Sequence, residues 1–104
     1  MYSRKKEDDV EQAFKNIGFE LVEDVARRTI NKADRILHHP NCNLTLAVDN
    51  KSTRNEGGIR ITREMLERIR LDAGTDIPIL TFTLYGWHRK FAVIEIDELG
   101  KFCR

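Results

Sequence analysis

Apolar residues recur along this chain with two rhythms, one of three to four residues and one of two. Over residues 4–17, Val10, Ala13, Phe14 and Ile17 stand at the i, i+3, i+4 and i+7 positions of one helical face. Gly18 follows where a helix C-terminus favours a left-handed residue. FELVEDV (19–25), DRILHH (34–39) and NLTLAVDNK (43–51) alternate as strands. The last two form a hairpin around PNCN, with Pro40-Asn41 at the turn. STRNEGG (52–58) is a loop. A second helix is predicted from Thr62, a good N-cap, with Ile61 and Leu66 at the staple positions. Met65, Leu66, Ile69 and Ala73 make its stripe, and Gly74 closes it. DIPILTFTL (76–84) and KFAVIEI (90–96) are a fourth and a fifth strand flanking YGWHR. Pro78 sits near the start of its strand, where a missing N–H is tolerated. The order helix, three strands, helix, two strands predicts one domain over 1–104, an α/β or α+β fold with a mixed five-stranded sheet flanked by helices.

The chain has 104 residues, of which 40% are hydrophobic and 34% charged, enough for one modest core in a richly charged domain. No apolar run approaches the roughly 20 residues of a membrane span. MYSRKKEDD carries no secretory pattern, and Cys42 and Cys103 show no zinc spacing, so a reducing, intracellular (cytoplasmic) setting is expected. A net charge of +1 does not by itself announce a nucleic acid. Local clusters say more: Arg4, Lys5 and Lys6; Arg27, Arg28, Lys32 and Arg35; His88, Arg89 and Lys90. Each is either a phosphate footprint or a solvated face.

Three acids complicate the pattern. Asp49 and Lys51 share a strand face with Thr45 and Ala47, while Leu44, Leu46 and Val48 must meet the core on the other. An edge strand with a polar outer face is the plain alternative. Glu7 stands three residues before Val10 on the inward stripe of the first helix, where a carboxylate needs a partner or a cation; the helix dipole also accounts for an acid in a first turn. Asp34 opens the strand beside that of Asp49. Together these groups suit a hard cation. Mg²⁺ takes oxygen ligands and keeps several waters. Asp34 and Asp49 would hold it directly, with the backbone carbonyl of Asn50 between them, and Glu7 through water. Such an ion orients a scissile phosphate and activates water, and Lys51 would offset the developing charge.

Asp34, followed fifteen positions later by Asp49-Asn50-Lys51, resembles the D…(D/E)xK signature of the restriction-endonuclease-like nucleases. The surroundings resemble archaeal and phage Holliday junction resolvases over nearly the whole chain. KKEDDVEQAFKNIGF resembles their acid-bearing first helix, KAD at 32–34 their K-x-D, and VDNKST their ExK-Ser/Thr strand. GGIRITREMLERIRLDAG resembles their helix after the motif, DIPILTF the strand after that helix, and FAVIEIDEL their usual ending. The resemblance implies a restriction-endonuclease-like core and a Mg²⁺-dependent endonuclease, with Mn²⁺ as substitute. It would cut four-way DNA junctions as a homodimer, possess no membrane or small-molecule partner, and fit a phage-encoded protein. Carried over by position, the catalytic residues are Glu7, Asp34, Asp49 and Lys51. DNA would be met by Arg4, Lys5, Lys6, Arg27, Arg28, Lys32, Arg35, Ser52, Thr53 and Arg54. Two departures stand out: Asp49 replaces the usual Glu, and RRTIN replaces a Ser-Gly stretch, with Thr29 its only hydroxyl. The competing readings are a nuclease of this fold acting on duplex, flap or mismatched DNA, and a non-catalytic DNA-binding module. His38 and His39 are expected in a solvated turn, and Trp87 either in a hairpin or interface or stacked on a base.

Overall fold

The computed structural model describes residues 2–23, 25–52, 58–84 and 86–102, with the side chains of 2–8, 25, 27 and 52 outside the description. Helix α1 (Tyr2–Asn16) leads into β1 (Glu20–Leu21), α2 (Val25–Ile30), β2 (Arg35–His39) and β3 (Leu44–Ser52). Then come α3 (Arg63–Ala73), β4 (Ile77–Thr83), β5 (Lys90–Val93), α4 (Ile96–Leu99) and a 3₁₀ turn over Gly100–Phe102. The five strands form one mixed sheet in the order β1-β2-β3-β4-β5. Only the β3–β4 pair is parallel, and α3 supplies the crossover that a parallel pair requires.

The alternation of β3 is read on both sides. Leu44, Leu46 and Val48 are buried with Val10 of α1, Leu37 of β2, and Ile77 and Ile79 of β4. On the other face Ala47 is fully buried against Ala33 and Ala73 of α3. Helices α1 and α3 therefore cover opposite faces, and β3 is the central strand rather than an edge. Burying a side chain such as Leu46 contributes about 2 kcal/mol.

The boundaries follow local chemistry. α1 turns off at Gly18, whose φ of +104° is open to glycine, and where a Cβ would stand 2.5 Å from His39 Nε2. Thr62 caps α3, its hydroxyl accepting from the Met65 N–H at 3.2 Å, and Gly74 ends it at φ +63°. Pro78 is tolerated because β5 pairs with β4 only from Leu80 onward, which leaves β4 a partner on one side there.

Several expectations change. The strand predicted over 19–25 is two residues long, and its last residue, Val25, opens α2. The strand over 90–96 stops at Val93, and Ile96–Leu99 is helical. Ile17 is 64% exposed, because α1 ends before it. Ile61 and Leu66 stay exposed, so the expected staple adds little burial. His38 and His39 lie in β2 and not in the turn: His38 Nδ1 bonds Thr45 Oγ1 at 2.9 Å, and His39 packs edge-on against Phe19. No helix among the described residues is long and apolar enough to cross a membrane.

Candidate metal and phosphate site

The β2–β3 ladder runs from His39↔Leu44 to Arg35↔Val48. One further step in the same register sets Asp34 opposite Asp49. There the carboxylates take over from the ladder. The Asp34 N–H donates to Asp49 Oδ1 at 3.0 Å, and the Asn50 N–H donates to Asp34 Oδ2 at 3.2 Å. The two acids are thus tied reciprocally at the point where the strands part. β3 continues to Ser52 alongside β4, and beyond Val48 its other edge has no strand partner among the described residues.

That edge matters for the backbone. The N–H and C=O of one strand residue point to the same edge. Since the Asn50 N–H points to Asp34, its carbonyl faces the same side, whereas the Asp49 carbonyl lies toward β4 and accepts from Thr81 Oγ1 at 3.4 Å. The Asn50 side chain is held on the opposite face, its Oδ1 accepting from Thr81 Oγ1 at 3.0 Å. Asn50 Nδ2 is buried without a partner among the described residues.

Asp49 is the electrostatically unusual group. Burial pushes its carboxyl up from the ordinary 3.8 to about 6, the N–H of Asp34 pulls it down, the charges of Asp34 and Asp72 push it up further, and Arg28 lowers it. Its Oδ2 is buried and has no hydrogen-bond partner among the described residues. An unpartnered buried carboxylate oxygen beside a second carboxylate and an inward carbonyl is a set of hard oxygen donors that fits a divalent cation. Lys51 is exposed and alternates onto the face of Asp49.

The other expected residues divide. Among the described residues no group of three His, Cys, Asp or Glu side chains converges on a metal position. Glu7 lies on α1, which packs on the sheet face opposite that of Asp49, and its side chain is outside the description. Because α1 begins at Tyr2, Glu7 is past the first turn, which removes the dipole explanation for its acid. Arg28 and Arg35 do not stand free. Arg28 donates to the carbonyls of Ala33 and Asp34, the latter at 3.1 Å; Arg35 donates to the same Asp34 carbonyl at 3.0 Å and pairs with Glu11 at 2.8 Å. These two cations clamp the backbone that presents Asp34, and with Glu11 and Glu23 they line an open cleft of about 370 Å³ beside it. Lys32 is exposed, while its N–H is tied to the Asp72 carbonyl at 2.6 Å. Thr53 and Arg54 lie outside the described residues, as do the side chains of Arg4, Lys5, Lys6, Arg27 and Ser52.

Four supporting residues escaped the sequence reading: Thr81, Asp72, Glu11 and Asn31. Asn31 is fully buried, donates to Asp76 at 2.8 Å and accepts from the Ala33 N–H at 3.0 Å, which fixes the chain just before Asp34. Thr81 had a detectable sign, a hydroxyl in the apolar run IPILTFT. No protein-family model matches the chain, and no curated protein is significantly similar to it.

Proposed function

We propose that this chain is a Mg²⁺-dependent endodeoxyribonuclease with a restriction-endonuclease-like core, acting on branched DNA and four-way junctions above all, as a homodimer. The reading rests on one observation: Asp34 and Asp49 are locked together at the parting of β2 and β3, with the Asp49 Oδ2 buried and unpartnered among the described residues. Mn²⁺ satisfies the same donors.

Asp34, Asp49 and the Asn50 carbonyl would hold the ion; α1, which carries Glu7, packs on the other sheet face, so a water-bridged contact from Glu7 rests on the resemblance alone. Bound there, a divalent ion would polarise a phosphate and make water a better nucleophile. Lys51 places an ammonium on the same face, where it offsets charge that builds on the phosphoryl oxygens. Arg28 and Arg35 act indirectly, by fixing the Asp34 backbone. Contacts to the DNA backbone fall to Lys32, Arg27, Ser52, Thr53, Arg54 and the Arg4–Lys6 cluster. A homodimer suits the substrate, since a two-fold pair of sites matches the approximate two-fold symmetry of a junction.

Cleavage of an end-labelled four-way junction with Mg²⁺, and its absence in EDTA, tests the reading. Asp49→Asn should bind the junction and fail to nick it. Normal cutting by that variant would remove the site assignment. Equal cutting of a linear duplex would remove the preference for junctions.

A further inference from the structure

The β4–β5 end of the sheet carries a feature that the metal site does not use. Phe82 and Phe91 stack with ring centroids 5.3 Å apart and planes 19° apart, and Trp87 continues the stack at 5.9 Å from Phe91. Trp87 is 53% exposed and Phe91 37%, so two of the three rings show a face or edge to water. The rung is aligned with the site. Lys51 pairs in register with Phe82, and Phe82 with Phe91, so the three side chains lie side by side on one face of the sheet. With strands about 4.8 Å apart, Phe91 stands ~10 Å from Lys51, roughly three steps of stacked DNA at 3.4 Å each. Residues 84–93 include His88, Arg89 and Lys90, all exposed, and no acid.

We propose that Phe82, Phe91 and Trp87 form a stacking platform for an unpaired DNA base, on the strand whose phosphate lies at Lys51. Exposed aromatic rings in a row with the Lys51 ammonium, with exposed His88 and Arg89 in the connecting segment, complement a polyanion whose units carry π-faces, and base–aromatic stacking does not depend on sequence. Duplex DNA keeps its bases stacked on one another and offers no free face, so the platform selects single-stranded or splayed DNA. This sharpens the substrate class of the proposed nuclease. Only the placement of the phosphate rests on that reading; the platform itself rests on the rings and the charge.

Trp87 is the only tryptophan of the chain, so emission excited selectively from tryptophan reports on the rung alone. The titration uses the full chain in EDTA with a sixteen-residue oligo(dT), followed by emission and by anisotropy of a labelled copy. The expected result is saturable quenching that weakens as salt is raised. Trp87→Ala and Phe91→Ala should each weaken binding about tenfold by anisotropy, Trp87→Phe much less, and circular dichroism should show all three folded. Oligonucleotide binding without a change in emission, no binding at all, or equal quenching by a blunt duplex would each overturn the platform. An emission change that follows protein concentration and ignores oligonucleotide would overturn it too, and would assign the rung to a contact between copies. Loss of junction cleavage with quenching intact removes the nuclease reading and leaves the platform; cleavage with no quenching does the reverse.

Discussion

Asp49→Asn should make the metal-free protein more stable at neutral pH and leave it unchanged in acid. The Asp49 carboxyl is raised from 3.8 to about 6 in the folded state, chiefly by burial. Between those values the folded chain keeps a proton that the unfolded chain has released. The stability linked to this group is therefore complete below pH 3.8 and is lost as pH rises through about 6. The shift spans about two pH units, equivalent to ~3 kcal/mol at ~1.4 kcal/mol each. Asp49 is only half-buried, so solvent screening reduces that to about 1–2 kcal/mol. Asparagine avoids the ionisation, and its Oδ1 still accepts from the Asp34 N–H. Urea unfolding in EDTA should give closely similar midpoints below pH 3.8 and a variant midpoint about 1 M higher at pH 8, for a slope near 1–2 kcal/mol/M. Addition of Mg²⁺ at a hundredfold its dissociation constant should stabilise the native chain by about 2.7 kcal/mol and leave the variant unmoved. A gap between the two proteins that is the same below pH 3.8 and at pH 8, or a variant less stable at pH 8, would refute the assignment of Asp49 as a strained acid.

Other substitutions probe the supports of the site. Thr81→Val removes the hydroxyl donor to Asn50 Oδ1, leaving the Asn50 amide with no partner among the described residues, and should cost about 1–3 kcal/mol in urea unfolding, with Thr81→Ser restoring most of it. Gly18→Ala forces a methyl group toward His39 at a φ of +104° and should lower stability by more than ~1 kcal/mol, seen as a drop of several degrees in the melting temperature. Thr62→Ala loses the cap at Met65 and should cost about 1 kcal/mol without affecting Mg²⁺ uptake measured by calorimetry.

Where one side chain decides a local structure, the sequence was readable. β2, β3, β4 and α3 follow from alternation, from Thr62 and Gly74 at the ends of the helix, and from the turn at Pro40-Asn41. The partnership of Asp34 and Asp49 was readable too, because a hairpin centred on PNCN sets them opposite one another. α2 was not. Ala26, Thr29 and Ile30 are all exposed, so among the described residues no buried apolar stripe marks it. What holds that segment is distant in sequence: Arg28 on the carbonyls of Ala33 and Asp34, Lys32 N–H on Asp72, and Ile30 packed over Gly74. The same limit applies to KFAVIEI. Alternation carries through Ile96, but β5 pairs with β4 over four residues only, ending at Leu80↔Val93, and Ile94 packs against the core. Arg28 and Arg35 were readable as cations, while their engagement with the backbone and with Glu11 required the fold.

The register of the β2–β3 hairpin has a consequence for how the chain tolerates changes in length. Asp34 and Asp49 each stand six residues from the four-residue tip 40–43, and every pair between them is in step. The tip is thus the ruler of the site. Lengthening the tip itself, at exposed Asn41 or Cys42, leaves both arms in step and the acids facing each other. Inserting or deleting a single residue within either arm slides one strand past the other, turns its side chains over, and offers Asn50 or Val48 in place of Asp49. Length variation among functional versions of this chain should therefore gather at the tip and vanish from the five paired positions of each arm between it and the two acids.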